Sequence, residues 1–313
     1  MKNLLWILFV MDLFNSCWTF FDLELHKNYP NLPKNCGSSQ ADRIIGGEKA
    51  RLGQYPWLAR IGYSMPGCTK AVLYRCGGFL INEWYVGTAA HCVTDLPTIV
   101  CPKDNHTVKF KLTSIQLGEH VVSTPIDCEN GECAEEVQEF QPAEINFHFM
   151  YNNPKYANDI ALIKLNKPAN LSPWVQPICL PQLEQLNSDY IGQWGEVAGW
   201  GTFDVDNPNT SDELLYVSVP ILRMRSCKSA YKKDFEMTGI RQLCAGGEGG
   251  KDSCGGDSGG PLMHVESHGD SPPKYFAIGV VSFGAKKCGD LNKPAIYTNI
   301  AHYMNWILDH LEQ

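Results

Sequence analysis

One serine stands among glycines in the stretch KDSCGGDSGGP, from Lys251 to Pro261. Ser258 directly follows Asp257, and another aspartate, Asp252, lies six residues upstream. Glycines allow tight backbone conformations in which successive N–H groups converge on one oxygen. The stretch is therefore typical of a nucleophile loop, and the alternative is a Gly/Ser-rich surface turn.

A serine hydroxyl is a poor nucleophile until a base takes its proton and a carboxylate holds that base in one tautomer. Among nine histidines, His91 has a distinctive setting, because it follows the apolar stretch WYVGTAA and precedes Cys92. Asp159 opens the run DIALIKL, which is typical of a buried strand. Since a carboxylate there needs a buried partner, His91 and Asp159 are candidates for the base and its carboxylate.

The motifs around these residues resemble those of the trypsin-like serine proteases of the chymotrypsin fold. In the family's order they are IIGG at 44–47, CGGFLI at 76–81, TAAHC at 88–92, NDIALIKL at 158–165, GWG at 199–201, GDSGGP at 256–261 and VSFG at 281–284. The resemblance runs from Ile44 to the C-terminus, about 270 of 313 residues. It implies an all-β fold of two six-stranded antiparallel Greek-key barrels. Apolar residues at helical spacing between Ile300 and Leu311 predict a C-terminal helix.

The resemblance also implies a role for each site residue. Ser258 would attack the scissile carbonyl, His91 would act as general base and then general acid, and Asp159 would orient the imidazole. The backbone N–H groups of Gly256 and Ser258 would form the oxyanion hole. Ser282 would support Asp159 with a hydrogen bond.

The same resemblance predicts substrate specificity. Asp252 lies where trypsin-like members place an acid at the base of the primary pocket, which selects Arg or Lys. Gly284 matches the glycine that keeps one pocket wall open. Two positions depart from the usual pattern, because Phe283 replaces tryptophan and Ala295 replaces glycine. We expect the Ala295 methyl to narrow the pocket, lower the catalytic efficiency and alter the balance between Arg and Lys.

The start of the matched region resembles a zymogen activation site. Arg43 precedes Ile44 and ends the polar segment SSQADR, which suits proteolysis. Cleavage there would free the ammonium of Ile44 to pair with Asp257, and this buried ion pair would order the oxyanion loop. The activating enzyme would be trypsin-like, or the protein would activate itself.

The first residues, MKNLLWILFVM, are typical of a secretory signal and too short to span a bilayer. We expect a signal peptide at 1–17, a prosegment at 18–43 and a protease domain at 44–313, in a secreted, extracellular protein. Without Cys17, 12 of the 13 cysteines remain, which suits six disulfides.

The family pattern implies four of these disulfides, namely Cys36–Cys179, Cys76–Cys92, Cys227–Cys244 and Cys254–Cys288. The sequence DCENGEC favours a small loop closed by Cys128 and Cys133, which leaves Cys68 to pair with Cys101. A metal site at CENGEC is the alternative, but two thiols without a histidine pair make a poor zinc site. The extra cysteines resemble those of arthropod proteases of the Easter and prophenoloxidase-activating type, although the region up to Arg43 has too few cysteines for their clip module.

Charge and short motifs limit the partners. A net charge of −8 without a basic run argues against nucleic acid, and no further apolar stretch is long enough to span a membrane. Asn105, Asn170 and Asn209 open candidate glycosylation sequons. The motif LGEH at 117–120 resembles the start of the trypsin calcium loop, with Glu119 as one ligand, although a solvated acidic loop is an equal alternative. No cofactor is required, and calcium is the one candidate.

The expected function is a secreted endopeptidase that cuts proteins after Arg or Lys in a limited-proteolysis cascade of immunity, clotting or development. Its partners would be protein substrates, an upstream activating protease and serpin-type inhibitors. The alternative is a catalytically weak or silent homologue that acts as a binding cofactor or venom component. The intact triad residues and Asp252 favour the enzyme.

Overall fold

The computed structural model describes residues 23–40, 49–183, 185–201, 210–231, 238–248, 257–267, 272–284 and 291–312. Within these ranges the chain is mostly β-structure, in two antiparallel bodies. The short helices are α1 (His91–Thr94), α2 (Met224–Ala230) and α3 (Met304–Asp309), with 3-10 turns at Tyr29–Asn31, Gln185–Asn187, Gly239–Arg241 and Ile300–Tyr303.

The first body contains β1 (Leu58–Met65), β2 (Thr69–Asn82), β3 (Tyr85–Thr88), β4 (Thr98–Val100), β5 (Thr107–Lys109), β6 (Lys111–Leu117), β7 (Cys128–Glu129), β8 (Glu132–Cys133), β9 (Gln138–Phe140), β10 (Pro142–Phe147) and β11 (Ala161–Leu165). Seven of them form one sheet in the order β10-β11-β3-β2-β1-β6-β9, while β4–β5 and β7–β8 are separate hairpins. The strands β9 and β10 are consecutive in the chain but lie at opposite edges of the sheet. Only Gln141 separates β9 from β10, so this segment brings the two edges of the sheet together. The interruption at Gln141 divides one predicted strand into two, which explains why the sheet has seven strands where six were predicted.

The second body is a closed six-stranded barrel in the order β12-β13-β14-β17-β16-β15. Its strands are β12 (Trp194–Gly199), β13 (Leu215–Leu222), β14 (Gln242–Ala245), β15 (Pro261–Glu266), β16 (Lys274–Phe283) and β17 (Ala295–Asn299). The prediction of an all-β, chymotrypsin-type fold is confirmed.

The strand β16 joins the two cores, which explains its nearly continuous apolar sequence KYFAIGVVSF. Tyr275 and Ala277 pack in the core that contains Trp57 of the first body. Phe276 and Ile278, which alternate with them, pack in the core of the second barrel. Because successive side chains of a strand point to opposite faces, both faces of this strand are buried. The two barrels therefore share a continuous apolar contact that positions the groups between them.

The predicted C-terminal helix is present as the 3-10 turn at Ile300–Tyr303 followed by α3. Its apolar stripe is buried, and Leu308 and Leu311 are both fully inaccessible. No helix among the described residues is long and apolar enough to cross a membrane.

An N-terminal segment, residues 23–40, lies against the end of this helix. Leu23 and Leu32 join the core of the first body. The side-chain amide of Asn28 donates to the Leu308 carbonyl at 2.8 Å, and that of Asn31 donates to the Leu311 carbonyl at 2.6 Å. These amides therefore attach the N-terminal segment to the carbonyls at and just beyond the end of the helix.

The structure forms five of the expected disulfides, which are Cys36–Cys179, Cys68–Cys101, Cys76–Cys92, Cys128–Cys133 and Cys227–Cys244. The sequence left the pairing of four cysteines open, and the structure forms the pairs that the sequence favoured, Cys68–Cys101 and Cys128–Cys133. Cys254 and Cys288 lie outside the described residues.

Candidate active site

A buried carboxylate and an imidazole meet between the two barrels. Asp159, which is 2% exposed, places Oδ2 at 2.8 Å from His91 Nδ1 and accepts the His91 backbone N–H on Oδ1 at 2.9 Å. The Ser282 hydroxyl donates to the same Oδ2 at 2.5 Å. Since a carboxylate only accepts, the proton of neutral His91 lies on Nδ1, and Nε2 is left as the basic nitrogen.

The charge of this pair adjusts the basicity of His91. Burial lowers its pKa, but the Asp159 charge, the hydrogen bond to Asp159 and the more distant Asp95 charge raise it, and the net pKa lies above the ordinary value of 6.5. A base with a pKa near the working pH is the most effective in proton transfer. His91 therefore has the partner, tautomer and basicity of a general base.

Local structure explains why Asp159 is held so firmly. The preceding residue, Asn158, is 3% exposed and donates its amide to the carbonyls of Met150 and Asn153 at 2.9 and 3.1 Å. Its own Oδ1 accepts the Tyr303 hydroxyl at 2.8 Å. Asn158 was not among the predicted site residues, although its place directly before Asp159 in NDIALIKL could have indicated this role.

The backbone of Ser258 is bonded to β2, and a disulfide joins that part of β2 to the helix that begins at His91. The Ser258 carbonyl accepts the Gly77 N–H at 2.8 Å, and the neighbouring Cys76 is bonded to Cys92, next to His91. The next residue, Gly259, has a φ of 83°, and a Cβ there would come within 2.2 Å of Thr88 Oγ1. Only glycine fits this position, which explains the glycine after the serine in GDSGG.

Comparisons with known proteins agree with this geometry. The family model described as Trypsin matches residues 44–307. The chain belongs to the trypsin family. It is a trypsin-like serine endopeptidase, as predicted.

Several relatives are arthropod proteases. The chain is 38% identical over 287 residues to the CLIP domain-containing serine protease HP8 of Bombyx mori, covering 90% of this chain and 72% of the relative. It is 37% identical to Melanization protease 1 of Drosophila melanogaster, covering 87% of this chain and 66% of that one. The solved structure of the Drosophila Grass clip serine protease of the Toll pathway matches with a TM-score of 0.73 and 35% identity, covering 88% of this chain and 74% of that one.

Asp257, the residue before Ser258, places its carboxylate in a narrow space beside Gly199 and Gly201, here called the Asp257 seat. Asp257 Oδ1 accepts the Gly201 N–H at 2.9 Å. A Cβ would lie 2.2 Å from the same oxygen if placed on Gly199 and 2.5 Å from it if placed on Gly201. The two glycines of the GWG motif are therefore needed to admit the Asp257 carboxylate. Four other predicted site residues lie outside the described residues, namely Arg43 and Ile44 of the activation site, Asp252 of the primary pocket and Gly256 of the oxyanion hole.

The expected pocket wall is formed by the ends of two neighbouring strands. Gly284 follows β16, and a Cβ placed on it would lie 3.4 Å from the Ala295 Cβ at the start of β17. Ala295 is 1% exposed, so its methyl has little freedom to move aside. Phe283, between Ser282 and Gly284, packs against Tyr156 with ring centroids 4.7 Å apart.

Glu119, the candidate calcium ligand, already has a cationic partner. Arg60 Nη1 lies 3.2 Å from Glu119 Oε2, and the Arg60 guanidinium also stacks 4.3 Å over the Tyr74 ring. Burial raises the pKa of Glu119, and the Arg60 charge opposes this shift. Because the guanidinium supplies the neutralising charge, the geometry does not favour calcium at Glu119.

Two of the candidate glycosylation residues, Asn105 and Asn170, are exposed, as the attachment of a glycan requires. Asn209 lies outside the described residues.

Proposed function

We propose that this protease is secreted as a zymogen, is activated by cleavage after Arg43, and then hydrolyses protein substrates after Arg or Lys in an extracellular proteolytic cascade. The seat of Asp257 between Gly199 and Gly201 is the observation that carries the zymogen proposal. A carboxylate enclosed in this way is a suitable partner for a new ammonium, and Asp257 is directly bonded to Ser258.

The hydrogen bonds among His91, Asp159 and Ser282 support a proposed catalytic cycle in which Ser258 is the nucleophile. Ser258 attacks the scissile carbonyl while His91 takes its proton, and Asp159 stabilises the imidazolium that forms. Ser282 donates to the Asp159 oxygen that also meets His91 Nδ1 and so helps to keep this carboxylate in place. The imidazolium then protonates the leaving amine, and water completes the hydrolysis by the same route.

Specificity for a basic residue is proposed from Asp252. With Asp252 at the base of the primary pocket, as the family resemblance implies, a neutral substrate side chain would leave its carboxylate unpaired, and breaking a buried pair costs about 3–5 kcal/mol. The Ala295 methyl lies beside Gly284, 3.4 Å from the position that a Cβ on that glycine would take, and this supports a narrower pocket than a glycine at position 295 would give. We expect the bulkier guanidinium and the slimmer ammonium to be affected unequally.

A role in a cascade is supported by the relatives, whose names refer to melanization and to the Toll pathway. Such a role implies protein substrates, a trypsin-like upstream activator and serpin-type inhibitors. The disulfide Cys36–Cys179 would keep the N-terminal segment attached after cleavage, as suits regulated activation.

One experiment tests these proposals in sequence. The purified chain is cleaved after Arg43, the new Ile44 terminus is verified, and turnover is measured on peptides that differ only in the residue before the cut. We expect cleavage after Arg and Lys, covalent labelling of Ser258 by an organophosphate, and no turnover by Ser258→Ala.

Each result tests a different part. Efficient cleavage after Leu or Phe would contradict the assignment of Asp252. Activity of an Arg43→Gln precursor equal to that of the cleaved protein would contradict zymogen activation. Absence of labelling in correctly cleaved protein would contradict the assignment of Ser258.

A further inference from the structure

A second link joins the segments that carry His91 and Asp159. Asp95 directly follows α1, the helix that begins at His91. The Tyr151 hydroxyl donates to Asp95 Oδ2 at 2.6 Å, and the Thr94 hydroxyl lies 3.1 Å from Asp95 Oδ1. The single Thr94 proton also has the nearer Ala90 carbonyl at 2.9 Å, so the bond from Tyr151 is the one that orients this carboxylate, and Asp95 remains exposed to solvent.

Tyr151 belongs to the turn that leads to Asp159. The turn is ordered by backbone bonds, including that from the Tyr151 N–H to the His148 carbonyl at 2.8 Å. Burial raises the pKa of Tyr151, and its hydrogen bond to Asp95 raises it further, so its hydroxyl remains a donor. The hydroxyl that orients Asp95 thus belongs to a turn whose backbone is fixed by hydrogen bonds.

The geometry of an extended substrate relates this carboxylate to the scissile bond. In an extended chain, successive side chains point to opposite sides. When the residue before the scissile bond enters the pocket beside Gly284 and Ala295, the residue before that one, here called the penultimate residue, points the other way. The Tyr156 ring packs on Phe283, next to Gly284, and Tyr156 belongs to the same turn as Tyr151, so this turn joins the edge of the pocket to Asp95. We place the penultimate side chain against this turn and the helix that begins at His91.

We propose that Asp95, oriented by Tyr151, is a specificity-determining carboxylate that favours lysine or arginine as the penultimate residue of the substrate. This inference rests on the proposed function, because it assumes a substrate bound in the pocket as described there. A fixed carboxylate attracts a cationic side chain and repels an acidic one. For an exposed pair, we expect a preference of about fivefold over a neutral side chain of similar length.

The charge of Asp95 also contributes to the raised pKa of His91. A change in total activity would therefore not separate the two effects. The ratio of rates for two substrates with one enzyme at one pH does separate them, because the state of His91 is then common to both.

The test uses the activated full chain and three peptides that share their best-cleaved basic residue and differ only in the penultimate residue, which is lysine, norleucine or glutamate. We expect kcat/KM to fall from lysine to norleucine to glutamate. Asp95→Asn keeps an acceptor for Tyr151 but removes the charge, so the lysine-to-norleucine ratio should fall to about one. Glu144→Gln, which removes an exposed carboxylate on β10, is the charge-matched control and should retain the wild-type ratio.

Two further measurements do not depend on the folding of Asp95→Asn. Raising the salt concentration should reduce the wild-type ratio, because an exposed ion pair is screened. Tyr151→Phe should reduce it as well, because Asp95 loses its fixed orientation.

An equal lysine-to-norleucine ratio in the wild type and Asp95→Asn would overturn the proposal. Failure of the proposed function is distinguishable, because the enzyme would then fail to prefer Arg or Lys before the scissile bond. In that case the three peptides carry, before the scissile bond, whichever residue the enzyme does accept. The lysine-to-norleucine ratio at the penultimate position then still tests Asp95.

Discussion

Gly201→Ala is expected to disable the activated enzyme while leaving the fold intact. The added Cβ would lie 2.5 Å from Asp257 Oδ1, 2.7 Å from Cγ and 2.8 Å from Oδ2. Because comfortable contacts begin at about 3.5 Å, the carboxylate must retreat by roughly 1 Å. It then loses the 2.9 Å bond from the Gly201 N–H. A hydrogen bond to a charged group contributes about 1.5–3 kcal/mol. If all of this free energy is lost from the conformation in which Ser258 is active, kcat/KM drops by about 10–100-fold.

The assay compares kcat/KM and the melting temperature of wild-type and variant protein, after N-terminal sequencing has verified cleavage before Ile44. Gly131→Ala provides the control, because Gly131 has a φ of 87° and nothing lies within 4 Å of the added Cβ. That variant should lose some stability through backbone strain and keep its activity. Wild-type activity in correctly cleaved Gly201→Ala would refute the role given to the Asp257 seat.

Three other outcomes follow from the structure. Because the pKa of His91 is raised above 6.5 and only its neutral form accepts a proton, kcat/KM should fall as the pH drops through a value above 6.5; an acid limb below 6.5 in the pH profile would contradict this. Ala295→Gly should raise turnover and shift the ratio of rates for Arg and Lys peptides, and an unchanged ratio would count against the steric effect of the methyl. Asn28→Ala should lower the melting temperature by about 2–4 °C, as expected for loss of a bond worth about 1 kcal/mol, with kcat/KM unchanged.

The residues found from the sequence are those that short motifs identify. His91 and Asp159 lie 68 residues apart, but each stands in a contiguous pattern that is distinctive by itself. Glycine at Gly259 is likewise indicated locally, because the tight loop needs it. The strand split at Gln141 was not predicted, because an interruption of one residue leaves the apolar pattern almost unchanged.

The contacts that the sequence did not indicate join residues without distinctive surroundings. Asp95 and Tyr151 are 56 residues apart, and each resembles an ordinary loop residue. Glu119 matched a calcium-loop pattern, but its partner Arg60 lies 59 residues away, on β1. A local pattern can indicate a carboxylate as a possible ligand, whereas only the folded chain shows which cation neutralises it.

The contact of Asn28 and Asn31 with the end of α3 changes its nature if the chain is cut after Arg43. A contact within one polypeptide then becomes an interface between a light and a heavy chain. The Cys36–Cys179 bridge keeps the two partners at a high effective concentration, so their association does not depend on dilution in the surrounding fluid. A catalytic chain produced alone from Ile44 would lack both the tether and the caps on Leu308 and Leu311. Recombinant production of this enzyme should therefore include the N-terminal segment.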